Sequence, residues 1–70
     1  MLFLGWFDDS PKKSAAMKIE EAIAAYVERF KVRPTLVLVN EADRAVEVKG
    51  VTVRAEGRIG RNTFQIGREG

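Results

Sequence analysis

The strongest constraint on the fold is an unbroken run of branched apolar residues, Leu36–Val39, which lies between Pro34 and Asn40. Successive side chains of a β-strand point to opposite faces, so a continuous apolar run predicts a strand that is covered on both faces. In a chain of 70 residues, only a central strand can be covered in that way. We therefore predict a strand over Thr35–Val39 at the centre of the fold.

The segment before this strand has the pattern of an amphipathic helix. Its apolar residues recur at three- and four-residue spacings, which places them on one stripe of a helical surface. These residues are Ala15, Ala16, Ile19, Ala22, Ile23, Tyr26, Val27 and Phe30. Pro34 limits the helix, because the residue before a proline disfavours helical dihedral angles. We predict a helix within residues 11–32. Ser10 is the expected N-cap and Ser14 is the alternative.

Two shorter elements are expected further along the chain. Asn40, three residues before Asp43, has the pattern of an asparagine that caps a single helical turn. A last strand is predicted over Thr63–Ile66. Phe64 and Ile66 would share one face of that strand, because they lie two positions apart.

The region between these elements has two interpretations. In the first, Lys49–Gly50 is a tight hairpin turn that pairs Val48 with Val51. In the second, residues 41–48 form an irregular return and only Val51–Ala55 is a strand. Glycine suits the second position of such a turn, but lysine is not the usual asparagine or aspartate of the first. The second interpretation is therefore favoured.

Together these elements predict an α+β fold, in which one amphipathic helix packs on a small three-stranded sheet in α-β-β-β order. The sheet would occupy residues 34–67, and strands that follow each other in sequence would lie side by side. One helix covers only one face of a sheet, whereas the central run points apolar side chains to both faces. The second face needs a cover from the N-terminal segment or from another subunit, so we expect a homo-oligomer or a protein partner.

Residues 1–9 are predicted to be an apolar N-terminal arm. Large apolar side chains are concentrated there, and buried aromatic residues are typical anchors of protein interfaces. The predicted interface residues are Leu2, Phe3, Leu4, Trp6 and Phe7. In the alternative interpretation, the segment is a strand or arm that closes the core of its own subunit. The sequence leaves both interpretations open.

The composition narrows the chemistry that the chain can perform. It contains no cysteine and no histidine, which removes disulfides, the usual structural zinc ligands and the common nucleophile–base pairs of enzymes. Glu41 and Asp43 follow the central strand, but two carboxylates are too few to specify a metal site. We expect no catalytic, cofactor-binding or metal-binding residue. The predicted function is that of a non-enzymatic module for self-association or protein interaction.

Binding to the phosphate backbone of a nucleic acid is the alternative function. The chain has a formal net charge of +2, and residues 49–70 carry five basic and two acidic side chains. Arg54, Arg58 and Arg61 are the candidate binding residues, because guanidinium groups contact phosphates bidentately. Phe64 is the one aromatic residue in that segment, so it lacks the aromatic side chains on which bases stack. A solvated arginine surface is the simpler explanation.

The sequence also bears on location and source. No apolar run approaches the roughly 20 residues that span a bilayer. Residues 1–7 have neither the basic start nor the small-residue cleavage site of a signal peptide, so a cytoplasmic location is expected. Asparagine and glutamine are scarce, while lysine, arginine and glutamate are frequent, a pattern that is typical of thermophilic sources.

Three runs of the sequence, Arg33–Asp43, Gly50–Val53 and Asn62–Gly67, resemble those of small uncharacterised bacterial proteins. In such proteins a helix leads into a proline-started strand that ends in asparagine, followed by a short valine strand and a closing strand that ends in glycine. The resemblance spans residues 15–67 and implies the same helix-plus-sheet fold. It carries no activity, cofactor or catalytic residue.

Overall fold

One helix and four strands form the regular structure in a computed structural model of the chain, which describes residues 3–43 and 46–68. The elements are strand β1 (Phe3–Phe7), helix α1 (Ala15–Phe30), strand β2 (Leu36–Val39), a 3-10 turn (Glu41–Asp43), strand β3 (Thr52–Ala55) and strand β4 (Thr63–Gly67). The strands form one mixed sheet in the order β1-β4-β2-β3. The predicted α+β class is confirmed.

The sheet has four strands rather than the three that were predicted, and the additional strand is β1. It comes from the segment that was predicted to be an arm, and it fits the alternative interpretation of a strand that closes the core of its own subunit. Its residues pair antiparallel with β4, from Phe3 opposite Gly67 to Phe7 opposite Thr63. The prediction of three strands is wrong because residues 3–7 use their backbone to complete the hydrogen bonding along one edge of β4, where backbone groups need partners.

Strand β2 lies inside the sheet, as the apolar run predicted. It pairs antiparallel with β4 on one side and parallel with β3 on the other. The expectation that consecutive strands are neighbours holds for β2 and β3 but is wrong for β3 and β4. Because β3 pairs with one edge of β2, β4 pairs with the opposite edge of β2. The other edge of β4 then pairs with β1.

The chain between β2 and β3 is an irregular return, which confirms the favoured interpretation of this region. Parallel neighbouring strands cannot be joined by a two-residue hairpin. Lys49 and Gly50 instead form a turn ahead of β3. Gly50 has a φ of 94°, a left-handed conformation that glycine adopts without steric cost. Arg44 and Ala45, within the same return, lie outside the described residues.

Helix α1 begins later than the favoured cap predicted. Ser14 is the N-cap, and its Oγ accepts a hydrogen bond from the N–H of Met17 at 3.2 Å. Ser10 is not the cap: residues 11 and 12 form a turn ahead of the helix, and the Ser10 N–H donates to Oδ1 of Asp8 at 2.9 Å, the local hydrogen bond of an aspartate turn. The helix is consequently shorter at both ends than residues 11–32.

The core lies between α1 and one face of the sheet. Its members are at most 1% exposed, and both the helix and the inner strands β2 and β4 contribute to it. They are Ile19, Ala22, Tyr26, Val37, Val39, Phe64 and Ile66. The predicted shared face of Phe64 and Ile66 is thus confirmed. Burial of each large apolar side chain contributes about 1.5–3 kcal/mol, so this cluster supplies much of the drive for folding.

Candidate interaction surface

The register of the strands divides their side chains between two faces. The face that we call the open face lies opposite the core, and α1 packs on the other side, mainly against β4. The strand residues of the open face are Phe3, Gly5, Phe7, Leu36, Leu38, Thr52, Arg54, Thr63, Gln65 and Gly67. One basic residue and no acidic residue is among these ten, so the open face combines apolar, polar and cationic side chains.

The apolar part of the open face is concentrated on β1 and β2. Phe7 is 65% exposed, the largest exposure among the bulky hydrophobic side chains that the structure describes. Leu38 is half-buried, and Leu36 is only 5% exposed. The ring of Phe3 lies over Gly67, which separates it from Leu36 in the same cross-strand row. The open face therefore shields part of its own apolar surface and leaves Phe7 in solvent.

The five predicted interface residues do not lie on one surface. Leu4 and Trp6 point to the helix side and pack against the core cluster. Phe3 and Phe7 alternate with them and lie on the open face. Leu2 lies outside the described residues. An interface formed by Phe3 and Phe7 stays a prediction, whereas Leu4 and Trp6 already contribute to the interior of their own subunit.

The predicted arginines are divided between the sheet and the loop that follows it. Arg54 lies on the open face, in the cross-strand row that also contains Leu38, Gln65 and Gly5. Arg58 and Arg61 lie in the loop between β3 and β4 and are exposed. The structure thus places Arg54 in the sheet and the other two at one end of it.

Sequence reasoning missed the combination of aromatic and basic side chains on a single face. Phe64 is the one aromatic residue near the arginines in the sequence, and it is in the core. Phe3 and Phe7 reach the face of Arg54 through the pairing of β1 with β4. The available signal was the short continuous apolar run of residues 3–7, which is consistent with a strand that is covered on both faces.

A groove of about 650 Å³ lies beside β3, the edge strand on the opposite side of the sheet from β1, and the irregular return forms its other wall. Most of its lining is valine, and one lysine and one glutamate accompany them. The lining residues are Val46, Glu47, Val48, Lys49, Val51 and Val53. Val46, Val48 and Val51 also pack against the core. The return therefore extends the apolar cover of the helix side beyond α1 to the edge strand.

A charged cluster joins the end of β1 to α1. Lys13 Nζ lies 2.8 Å from Oε1 of Glu21 and 3.6 Å from Oδ2 of Asp8. The hydrogen bond from the Ser10 N–H lowers the pKa of Asp8, and the hydrogen bond to Glu21 raises the pKa of Lys13. Both shifts favour the charged forms. Neither pKa moves toward neutrality, as general acid–base catalysis near pH 7 would require.

Side chains suited to metal binding are not clustered in the described residues. Among residues 3–43 and 46–68 there is no group of three or more His, Cys, Asp or Glu side chains that could hold a metal ion. Glu41 and Asp43 belong to the 3-10 turn, which Asn40 caps as predicted. Its Oδ1 accepts the N–H of Ala42 at 2.9 Å, and its Nδ2 donates to the carbonyl of Ile59 at 2.8 Å.

No helix within the described ranges is both long enough and apolar enough to cross a bilayer. Comparison with known proteins identified no matching family model, no matching curated protein and no matching solved structure. The resemblance to small bacterial helix-plus-sheet proteins therefore stays a prediction.

Proposed function

We propose that this protein is a non-enzymatic interaction module that self-associates through β1 and the open face. The observation that carries the proposal is the position of Phe7, which is 65% exposed at the end of an edge strand on the face that α1 does not cover. Burying a phenylalanine side chain contributes about 1.5–3 kcal/mol, so the burial of Phe7 would add appreciably to the free energy of association.

The size of the chain supports the same proposal. A domain of roughly 60 residues buries only about 60% of the surface that its unfolded chain exposes, and small domains commonly gain stability from disulfides, metals or oligomerisation. The sequence has no cysteine and no histidine, so the first route is closed and the second lacks its usual ligands. Close packing within the subunit and association of subunits remain, and the second of these supports the proposal.

The charged cluster of Asp8, Lys13 and Glu21 has a structural role that accounts for it. Asp8 and Lys13 have pKa values shifted in the directions that keep them ionised. Their partners are the Ser10 backbone and Glu21, which fix the start of α1 beside β1. The cluster is therefore explained by its structural contacts, and it supplies no proton donor or acceptor tuned near pH 7.

Binding of nucleic acid is a second candidate function, and one specific observation favours it. Arg54 shares the open face with Phe3 and Phe7. A sheet that presents aromatic side chains together with cations offers stacking surfaces for bases and contacts for phosphates. Arg58 and Arg61, both exposed in the adjoining loop, add to the positive charge at one end of the sheet.

The proposed self-association is tested by measuring the solution mass as a function of protein concentration. Phe7→Lys places a charge on the open face, and Met17→Lys is its matched control, because Met17 is 48% exposed on α1. We expect the wild type to exceed its monomer mass of 7.8 kDa, Phe7→Lys to lower the mass, and Met17→Lys to leave it unchanged. A wild-type protein that is monomeric at every concentration contradicts the proposal.

The second candidate is tested by titrating the protein with mixed-sequence single-stranded RNA and DNA at 50 and 200 mM salt. If the arginines contact phosphates, the affinity falls roughly tenfold or more over this range because counterions are released. Arg54→Gln should weaken binding, whereas Arg29→Gln, on the exposed side of α1, should have little effect. Absence of binding at 50 mM salt removes this candidate.

A further inference from the structure

We propose that β1 pairs antiparallel with β1 of a second copy of the chain, with Gly5 of the two copies facing each other at a two-fold axis. This inference rests on the proposed self-association and specifies its geometry. The pairing would join two four-stranded sheets into one continuous sheet of eight strands.

The outer edge of β1 is available for such pairing. β1 is the first strand in the sheet order, and no strand within the described residues pairs with its outer side. Natural edge strands are commonly protected by lysine, proline, a bulge or an inward-pointing charge. The sequence of β1 is Phe-Leu-Gly-Trp-Phe, which contains none of these residues. The opposite edge strand, β3, carries Arg54.

The direction of the backbone hydrogen bonds identifies the groups that this edge presents. The N–H of Asp8 donates to the carbonyl of Asn62 at 3.0 Å, so the backbone N–H and C=O of Asp8 point toward β4. These groups alternate in direction along a strand, which means that the backbone N–H and C=O of Leu4 and Trp6 also point toward β4. The N–H and C=O groups of Phe3, Gly5 and Phe7 therefore point away from the sheet.

A second hydrogen bond gives the same result independently. The N–H of Thr35 donates to the carbonyl of Gly67 at 2.9 Å, so the backbone C=O of Gly67 points toward β2. By the same alternation, the backbone N–H and C=O groups of Phe64 and Ile66 in β4 point toward β1. Their partners in the register are Trp6 and Leu4, the two residues that the bond of Asp8 also assigns to the inner side.

The outward groups of β1 are self-complementary. With Gly5 opposite Gly5 of the second copy, Phe3 lies opposite Phe7 of that copy, and the reverse holds by symmetry. All three outward residues then fall at hydrogen-bonded positions of an antiparallel pair. Each copy donates three N–H groups and accepts three, which gives six hydrogen bonds between the copies. An isologous two-fold contact of this kind closes at the dimer.

The side chains suit this register as well. Residues directly opposite each other in an antiparallel pair share a face, so Phe3 of one copy meets Phe7 of the other on the open face. The exposed ring of Phe7 thereby gains an aromatic neighbour. At the axis, a Cβ atom added to Gly5 would meet nothing within 4 Å, so the glycine leaves space at the crossing point.

Stacking of two open faces is the rival geometry, and it uses none of the outward N–H and C=O groups of β1. Edge pairing gives each of these backbone groups a partner in the second copy.

The test compares Gly5→Pro with Gly5→Ala in sedimentation measurements over a range of concentrations. Proline removes the outward N–H, which the monomer does not use, and edge strands tolerate proline at such positions. Alanine keeps the N–H and fits the open space. We expect wild type and Gly5→Ala to reach twice the monomer mass of 7.8 kDa, and Gly5→Pro to dissociate at least tenfold more readily.

The outcomes separate the inference from the proposal on which it rests. A wild type that is monomeric at every concentration overturns both. An oligomer that Gly5→Pro leaves intact overturns edge pairing alone, and self-association through the open face then stands.

Amide hydrogen exchange provides a second measurement. It uses only the wild type, so it tests the inference even if the proline variant does not fold. Edge pairing predicts that the N–H groups of Gly5 and Phe7 exchange more slowly as the oligomer forms. Leu4 and Trp6, which face β4, should be protected at all concentrations. Rapid exchange of Gly5 and Phe7 in the oligomer overturns the inference.

Discussion

The ring of Phe3 lies directly over Gly67 across the pairing of β1 with β4, and a Cβ atom at position 67 would come within 2.7 Å of it. Gly67 is buried and is the last residue of β4. On its other side in the same row is Leu36, which is 5% exposed. The missing side chain of Gly67 thus makes room for the aromatic ring that helps to cover the central strand.

Gly67→Ala should therefore destabilise the protein through a clash with Phe3. Forcing an extra carbon into a packed site commonly costs about 1–3 kcal/mol. The free energy of unfolding can be measured by urea denaturation, with the fluorescence of Trp6, the single tryptophan, as the signal. Gly5→Ala is the matched control because its Cβ atom has open space.

The same pair supplies a double-mutant test. In a Phe3→Ala background the ring is absent, so Gly67→Ala should cost clearly less than in the wild type. Equal costs in the two backgrounds would mean that the contact between Phe3 and Gly67 does not determine the effect.

The sequence predicted those elements that short-range patterns determine. The run of Leu36–Val39 indicated an inner strand, and helical periodicity indicated α1, because burial imposes these patterns directly on neighbouring residues. Strand β1 was harder to predict. Its apolar residues fit an arm and a strand equally well, and the choice depends on Thr63–Gly67, some 60 positions away. Such long-range pairing leaves no local signal except the short continuous apolar run of residues 3–7.

The candidate surface was only partly predictable for the same reason. The sequence identified Phe3, Phe7 and Arg54 separately, but only the strand order brings them to one face. The role of Gly67 could not be inferred, because nothing in the neighbouring sequence indicates that Phe3 lies across from it. Ser10 was misassigned because its hydroxyl suits a cap as well as that of Ser14 does, whereas residues 11 and 12 form a turn and the helix begins after Ser14.

The two serines before α1 provide a prediction of their own. Ser14→Ala removes the acceptor of the Met17 N–H and should cost about 1 kcal/mol, as is typical of N-cap serines. Ser10→Ala keeps the N–H that donates to Asp8, so its cost should be smaller. Thermal unfolding followed by circular dichroism measures both. A larger loss for Ser10→Ala would contradict the assignment of Ser14 as the cap.

Asn62 combines a backbone role with a side-chain role. Its φ is 61°, and its Oδ1 accepts a hydrogen bond at 3.3 Å from Nζ of Lys18, which is 8% exposed. Asn62→Gly keeps the left-handed backbone and removes the acceptor, whereas Asn62→Ala loses both. We expect alanine to cost about 1 kcal/mol more than glycine, since the left-handed conformation costs an alanine roughly 1–2 kcal/mol.

Lys18 allows the side-chain role of Asn62 to be measured separately. The loss in Asn62→Gly should arise from the buried ammonium that has lost its acceptor. In a Lys18→Met background that loss should shrink. Chemical denaturation of the four proteins of this cycle provides the comparison, and an unchanged cost of Asn62→Gly would show that Lys18 does not depend on it.

Asp8 predicts how stability responds to acid. The Ser10 N–H donates to its carboxylate, and Lys13 lies 3.6 Å away. Both lower its pKa in the folded state below the ordinary value of 3.8, with the hydrogen bond from Ser10 as the larger cause. The unfolded chain therefore binds a proton more readily than the folded one. The stabilisation is complete above the unfolded-state pKa and is lost as the pH falls through the lower folded-state pKa.

The thermal unfolding temperature should decrease on acidification below about pH 4, and this decrease should be shallower in Asp8→Asn. Asp9→Asn is the matched control, since it removes the neighbouring exposed carboxylate and the same charge. Identical acid profiles for the two variants would show that the bonds to Ser10 and Lys13 do not stabilise the fold.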